Sequence, residues 1–158
     1  SPQNRIRFAL EVVDAVAAEI GAGRTGIRLS PVSPANDSAE SQPQAVFGPL
    51  VEALNQRGIA FIHFVEGSTG GPRDLTGFDF AWARQAFKGA YIANNGYTRD
   101  MAIDAIASGS ADAVAFGRAY ISNPDLVQRL KANAPLAKAH SSTFYVPGPE
   151  GYTDYPAM

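Results

Sequence analysis

The sequence predicts an α/β fold, a (β/α)8 TIM barrel of which these 158 residues supply the C-terminal half. Apolar runs bounded by breakers recur near 25–30, 59–65, 90–94 and 112–116, with helical spacing between them, and such alternation implies right-handed parallel βαβ units. The last two runs end in Asn95-Gly96 and Gly117-Arg118. That is how buried parallel strands deliver backbone amides and a cation to their carboxyl-terminal rim. Four strands, where a closed barrel has eight in roughly 250 residues, make half a barrel.

The elements follow in order. Ser1-Pro2-Gln3-Asn4 has the form of a helix start, with serine at the cap and proline at the first helical position. Ile6, Leu10, Val13, Val16, Ala17 and Ile20 form one amphipathic stripe that closes at Gly21-Ala22-Gly23. Gly26–Ser30 is a strand stopped by Pro31, and Arg28 interrupts its apolar character; a charge in a buried strand needs a partner. From Val32 to Pro43 the chain is polar and rich in Ser, Pro and Asn, as a long rim loop is. Val46, Leu50, Val51 and Leu54 resume helical spacing up to Arg57-Gly58, and Ile59–Val65 is a nearly unbroken apolar strand carrying His63. A loop from Glu66 to Gly77 is broken by Gly67, Gly70, Gly71 and Pro72. A helix over Phe80–Phe87 leads to the Tyr91 strand, Thr98–Ser108 is the next helix, and the Ala113 strand comes last, before a tail over 138–158 placed on the barrel rim.

Composition narrows the function. Thirteen Lys and Arg against fifteen Asp and Glu give a net charge of -2, and the basic residues are scattered, which argues against a nucleic-acid or anionic-membrane surface. The absence of cysteine excludes disulfides and thiolate metal sites and fits a reducing cytosol. No apolar run approaches the ~20 residues of a bilayer span, so a cytoplasmic protein is expected. His63 has no second ligand at metal spacing and is expected as a satisfied core histidine, while His140 lies in a polar, solvated loop. Glu66, at a strand end, either points into a site or caps its loop. Ser141-Ser142-Thr143 has no paired base and forms no nucleophile dyad.

What remains is an anion grip. One Asn-Gly is an ordinary strand-to-helix turn. Two such turns on neighbouring strand ends, one with an arginine, offer directional N–H donors, a helix N-terminus and a bidentate cation, as a phosphate dianion requires.

The stretches NRIRFALEVVDAV, RTGIRLSP, AFGRAYISNPDLVQRL and FYVPGPEGYTDYP together resemble the C-terminal half of Old Yellow Enzyme family flavoproteins, over essentially the whole chain. These are FMN-dependent ene-reductases that use NADPH to reduce activated C=C bonds. The resemblance implies that Arg28 lies against the N1/C2=O edge of the flavin, where a fixed guanidinium stabilises the charge of the reduced ring. It also implies that Asn95, Gly96, Gly117 and Arg118 hold the FMN phosphate, with glycine often standing in the family where this chain has Asn95. Tyr145 matches an aromatic residue lining the flavin and substrate pocket, and Tyr152 and Tyr155 are expected to dock the tail. No catalytic residue is expected here, because the family's His/Asn or His/His carbonyl clamp and its proton-donating Tyr belong to the missing half, expected N-terminal to Ser1. By the resemblance, NADPH reduces FMN and leaves, and hydride then passes to an enone, enal, maleimide or nitroalkene. The implied partners are a complementary N-terminal half-barrel chain or segment and a small activated alkene. A module that binds FMN or another phosphate ligand without turnover, and a fragment that only folds and dimerises, are the alternatives.

Overall fold

A computed structural model describes residues 1–35, 38–69 and 71–158, which leaves Gly70 of the expected loop breakers outside the described residues. The chain divides into two compact units, Ser1–Ala115 and Phe116–Met158.

In the first unit, helix α1 (Pro2–Ile20) starts where proline's fixed φ suits the first turn, and the Ser1 hydroxyl accepts from the Asn4 amide at 3.4 Å. It ends at Gly21, whose φ of 90° a side chain would resist. Ile6 and Val13 are buried and Ala9 and Leu10 pack beside them, but Val16 and Ile20 are exposed, which corrects the single stripe. At 100° per residue Val16 sits about 80° around the helix from Ile6, and Ile20 is the last helical residue. Strand β1 (Gly26–Leu29) follows, then helix α2 (Pro43–Arg57). Helix α2 begins three residues before Val46 because Pro43 supplies a helical φ at a position whose N–H has no helical partner anyway. It closes on Gly58 at φ 63°. Strand β2 (Phe61–Val65), helix α3 (Phe80–Ala86), strand β3 (Ala90–Asn94), helix α4 (Arg99–Ala107) and strand β4 (Ala113–Ala115) complete the alternation. Asp79 caps α3 by accepting from the Trp82 amide at 2.8 Å, and Thr98 caps α4 by accepting from Met101 at 3.3 Å.

The strands form one parallel sheet in the order β1-β2-β3-β4. Alternation sorts its residues between two faces. Leu29, Ile62, Phe64, Tyr91 and Ala93 share a core with Ile6, Val51, Leu54 and Ala83 of the helices. Phe64 is fully buried there, its ring 5.1 Å from Tyr91 and 5.8 Å from both Phe78 and Phe80. The register row Arg28, His63, Ile92, Ala113 falls on the opposite, more open face. A sheet covered by helices on one side with a second, uncovered side is half of a (β/α)8 barrel. The outer edges of β1 and β4 pair with no strand among the described residues.

In the second unit Gly117 opens a short 3-10 turn, Arg118–Ile121, and helix α5 (Leu126–Ala132) follows, ending at Asn133 in the left-handed region. Fully buried Asn123 ties the segment after it: its Nδ2 donates to Ala119 O at 2.8 Å and its Oδ1 accepts from Ala137 N at 2.8 Å. Tyr155 docks the tail, with its hydroxyl accepting from His140 N at 2.9 Å and its ring stacked on His140, whereas Tyr152 is 81% exposed and docks nothing. No helix among the described residues is long and apolar enough to cross a membrane.

Candidate functional site

The loops after β2 and β3 carry the polar chemistry of the first unit. Beyond Asn94 the backbone turns through two successive left-handed residues, Asn95 at φ 95° and Gly96 at φ 70°. Asparagine is among the few side chains that tolerate this region, so Asn95 adopts it without being glycine. The Asn95 side chain is already committed: its Nδ2 donates to Glu66 O at 2.8 Å and to Ser68 O at 3.1 Å. The backbone amides of Asn95, Gly96 and Tyr97, by contrast, meet no acceptor among the described residues, and they stand just before the N-terminus of α4. Open amides in a left-handed turn at a helix start suit an anion.

Glu66 is the residue that sequence reasoning left undecided. It is buried, and it neither opens into a site nor merely caps its loop. Its Oε1 accepts from the Tyr91 hydroxyl at 2.8 Å, and its Oε2 accepts from the Tyr97 hydroxyl at 2.7 Å and from Arg73. Arg73 also donates to the Tyr97 hydroxyl at 2.7 Å and lies over that ring, 4.2 Å from its centroid. Burial, then the nearby carboxylate, pushes the Tyr91 hydroxyl far up; burial and the hydrogen bond to Glu66 do the same to Tyr97. Both therefore act as donors, never as phenolates. The available signal was an acid directly after an apolar strand with two tyrosines on the neighbouring strand and its turn.

Arg28 is not buried, and no counter-ion faces it among the described residues; its strand face is the open one, so the charge does not need the partner that a buried strand would demand. Its register neighbour His63 is only half-buried, and its Nε2 has no hydrogen-bond partner, so it is not the satisfied core histidine expected. Burial first and the Arg28 charge second push its pKa down, against a hydrogen bond that it donates to Asn94, which raises it. No cluster of metal-ligating side chains occurs among the described residues.

In the second unit, Gly117 and Arg118 are both exposed. Gly117 has φ −101° and no atom within 4 Å of where a Cβ would stand, so nothing in the chain itself requires glycine there. Arg118 has no ion-pair partner among the described residues. Tyr145 is 98% exposed and borders an open groove of about 580 Å³ with Tyr120, Ile121, Phe144 and Tyr152. Of the predicted site residues, then, Asn95 and Gly96 share one turn, Arg28 lies on the same sheet, and Gly117, Arg118 and Tyr145 belong to the second unit.

A four-stranded parallel sheet with helices on one side, open amides beyond β3 and an unpaired arginine on its uncovered face has the architecture of one half of a (β/α)8 barrel. Residues 1–137 match the NADH:flavin oxidoreductase / NADH oxidase family. Over its whole length the chain is 46% identical to 12-oxophytodienoate reductase 2 of Arabidopsis thaliana and 42% identical to a probable flavin mononucleotide-dependent alkene reductase of Leishmania infantum, covering 43% and 42% of those proteins. Among solved structures it superposes on morphinone reductase with a TM-score of 0.92 at 40% identity, covering all of this chain and 42% of that one. The old yellow enzyme from Trypanosoma cruzi also gives 0.92, at 31% identity, over 99% of this chain and 41% of its own. The chain belongs to this family, in its Old Yellow Enzyme group, and spans about two-fifths of the length of the four relatives just named.

Proposed function

We propose that this chain is the flavin-cradling part of an FMN-dependent ene-reductase that reduces activated C=C bonds with NADPH. The observation that carries the reading is the Asn95–Gly96 turn, whose three open amides suit the FMN phosphate. The names of the Arabidopsis and Leishmania relatives, an oxophytodienoate reductase and an alkene reductase, support the substrate class. When bound, FMN supplies hydride transfer between the nicotinamide and the alkene.

The residues present fit that cofactor. Asn95 and Gly96 bind the phosphate through backbone N–H groups, since the Asn95 amide is spent on two carbonyls. Gly117, with space where a side chain would stand, allows close approach, and Arg118 supplies a fork of donors matched to a phosphate. Arg28, unpaired on the open face beside His63 and Ile92, balances negative charge on the ring edge, and Tyr145 contributes to the pocket wall. The carbonyl clamp and the proton donor come from a complementary N-terminal half-barrel segment. Four strands here and a coverage of 42% of the Leishmania relative and of morphinone reductase support that partner.

The test is flavin capture by the natural protein, followed by quenching of flavin fluorescence. FMN should bind far more tightly than riboflavin, which lacks the phosphate, and the loaded protein should oxidise NADPH when an enone is added. Arg118→Ala should weaken FMN binding by about 10- to 100-fold, the worth of a charge-assisted hydrogen-bonded pair, and leave riboflavin binding unchanged. Equal retention of FMN by Arg118→Ala would remove the phosphate assignment of that residue. Capture without NADPH oxidation would leave a binding module in place of an enzyme.

A further inference from the structure

We infer that Glu66 is a positioning residue for phosphate binding: its buried carboxylate and its main chain together hold the left-handed Asn95–Gly96 turn in the conformation that presents its amides. The inference rests on the reading of that turn as the FMN phosphate site.

Two consecutive residues at positive φ persist only where the surroundings over-determine them. Here one residue does most of that. Glu66 N donates to Asn94 O at 3.0 Å, Glu66 O accepts from Asn95 Nδ2 at 2.8 Å, and Glu66 Oε2 accepts from Tyr97 OH at 2.7 Å. The positions on both sides of Gly96 are therefore bonded to a single side chain and backbone, and Gly96 alone is left to bend. The carboxylate is fixed in turn by Tyr91 on Oε1 and by Arg73 on Oε2, with Arg73 laid over the Tyr97 ring.

The chemistry of the knot calls for a carboxylate. Three donors converge on two oxygens, and only an ionised acid accepts at both without offering a proton of its own. A glutamine would turn one oxygen into an NH2 that opposes a hydroxyl or the guanidinium. With the knot loosened, the turn relaxes in the free protein and each binding event has to rebuild it, which lowers apparent affinity by the fraction of molecules still in the competent form.

This predicts a sign that electrostatics alone does not. Replacing Glu66 by a neutral residue removes a negative charge from the neighbourhood of a dianion, which by Coulomb's law strengthens phosphate binding. A positioning role weakens it.

The experiment compares the natural protein with Glu66→Gln and Tyr97→Phe. FMN and riboflavin affinities are read by fluorescence quenching, and the bound phosphate by its 31P chemical shift. Both variants should lose about tenfold in FMN affinity, keep their riboflavin affinity and shift the 31P resonance, as expected for a turn competent in only a minority of molecules. FMN binding that is unchanged or tighter in a folded variant overturns the inference. If Glu66→Gln does not fold, Tyr97→Phe, which deletes one hydroxyl and keeps the ring, decides alone. Equal affinity of the unmutated protein for FMN and riboflavin overturns the phosphate reading itself, and this inference with it, whatever the variants do.

Discussion

Replacing Gly96 by alanine tests the geometry of the turn against a matched control elsewhere in the same unit. Gly96 has φ 70° and Gly58 φ 63°, and at neither would a Cβ meet an atom within 4 Å. With sterics against neighbours removed, the cost of Gly96→Ala and of Gly58→Ala is the same backbone term, about 1–2 kcal/mol for an L-residue in the left-handed region. At Gly58, which ends α2, that cost appears as stability, a fall of roughly 2–8 °C in melting temperature for a chain of this size. At Gly96 it divides between two measurements. A turn that keeps its φ loses the same stability. A turn that relaxes is spared that loss but must be re-strained by the ligand, and 1–2 kcal/mol then weakens FMN binding by about 5- to 30-fold. Thermal denaturation followed by near-ultraviolet circular dichroism, with flavin titration on the same samples, measures both. Gly58→Ala should leave FMN affinity untouched. A Gly96→Ala protein with unchanged melting temperature and unchanged FMN affinity would refute the reasoning, because the strain has to appear in one quantity or the other.

Arg28→Ala should slow reduction of bound flavin by NADPH more than it weakens FMN binding, and an unchanged reductive rate in stopped-flow absorbance would remove the flavin-edge role. Tyr91→Phe takes the donor from a buried oxygen of Glu66 and should cost about 1–3 kcal/mol in denaturant unfolding, with no loss expected only if that hydrogen bond is absent. His63, whose pKa lies below 6.5 in the fold, is held neutral there while the unfolded chain protonates it. Its contribution is present above pH 6.5 and is lost as pH falls below that value, so stability should decline between neutrality and the acid range, and His63→Gln should flatten this decline. Asp125, held down by hydrogen bonds from the Met158 amide and Arg129, adds its own loss only below 3.8, in a separate window.

The regular part of the fold was legible because periodicity and punctuation coincide. Proline and Ser1 start α1, Gly58 stops α2, and the apolar runs at Phe61 and Tyr91 are strands within two residues of where the pattern put them. The turn at Asn95–Gly96 was legible for the same reason, since Asn-Gly after an apolar run admits few backbone paths. The exposure of Arg28 was not legible because an apolar strand says nothing about which of its two faces is covered. Only the sheet, with helices on one side, shows that position 28 points to the open one. Glu66 was undecided for a deeper reason. Its partners Arg73, Tyr91 and Tyr97 lie 7, 25 and 31 residues away; Arg73 returns along the same loop, and the parallel pairing of β2 with β3 brings in the two tyrosines. Tyr152 and Tyr155 look alike in the sequence, yet Tyr152 is exposed whereas Tyr155 stacks on His140.

The strand order carries a consequence for assembly. In β1-β2-β3-β4 each new strand adds beside the one just completed, so no strand waits for a later segment to be inserted between it and its neighbour. Successive strands pair across separations such as Gly26 to Phe61 and Ile92 to Ala113, so the loop-closure cost of each new strand does not grow as the sheet is extended. Such a sheet can grow in the direction of synthesis, unit upon unit, and both of its borders stay open as it does. Further strands can be added to either border without unzipping any existing pair.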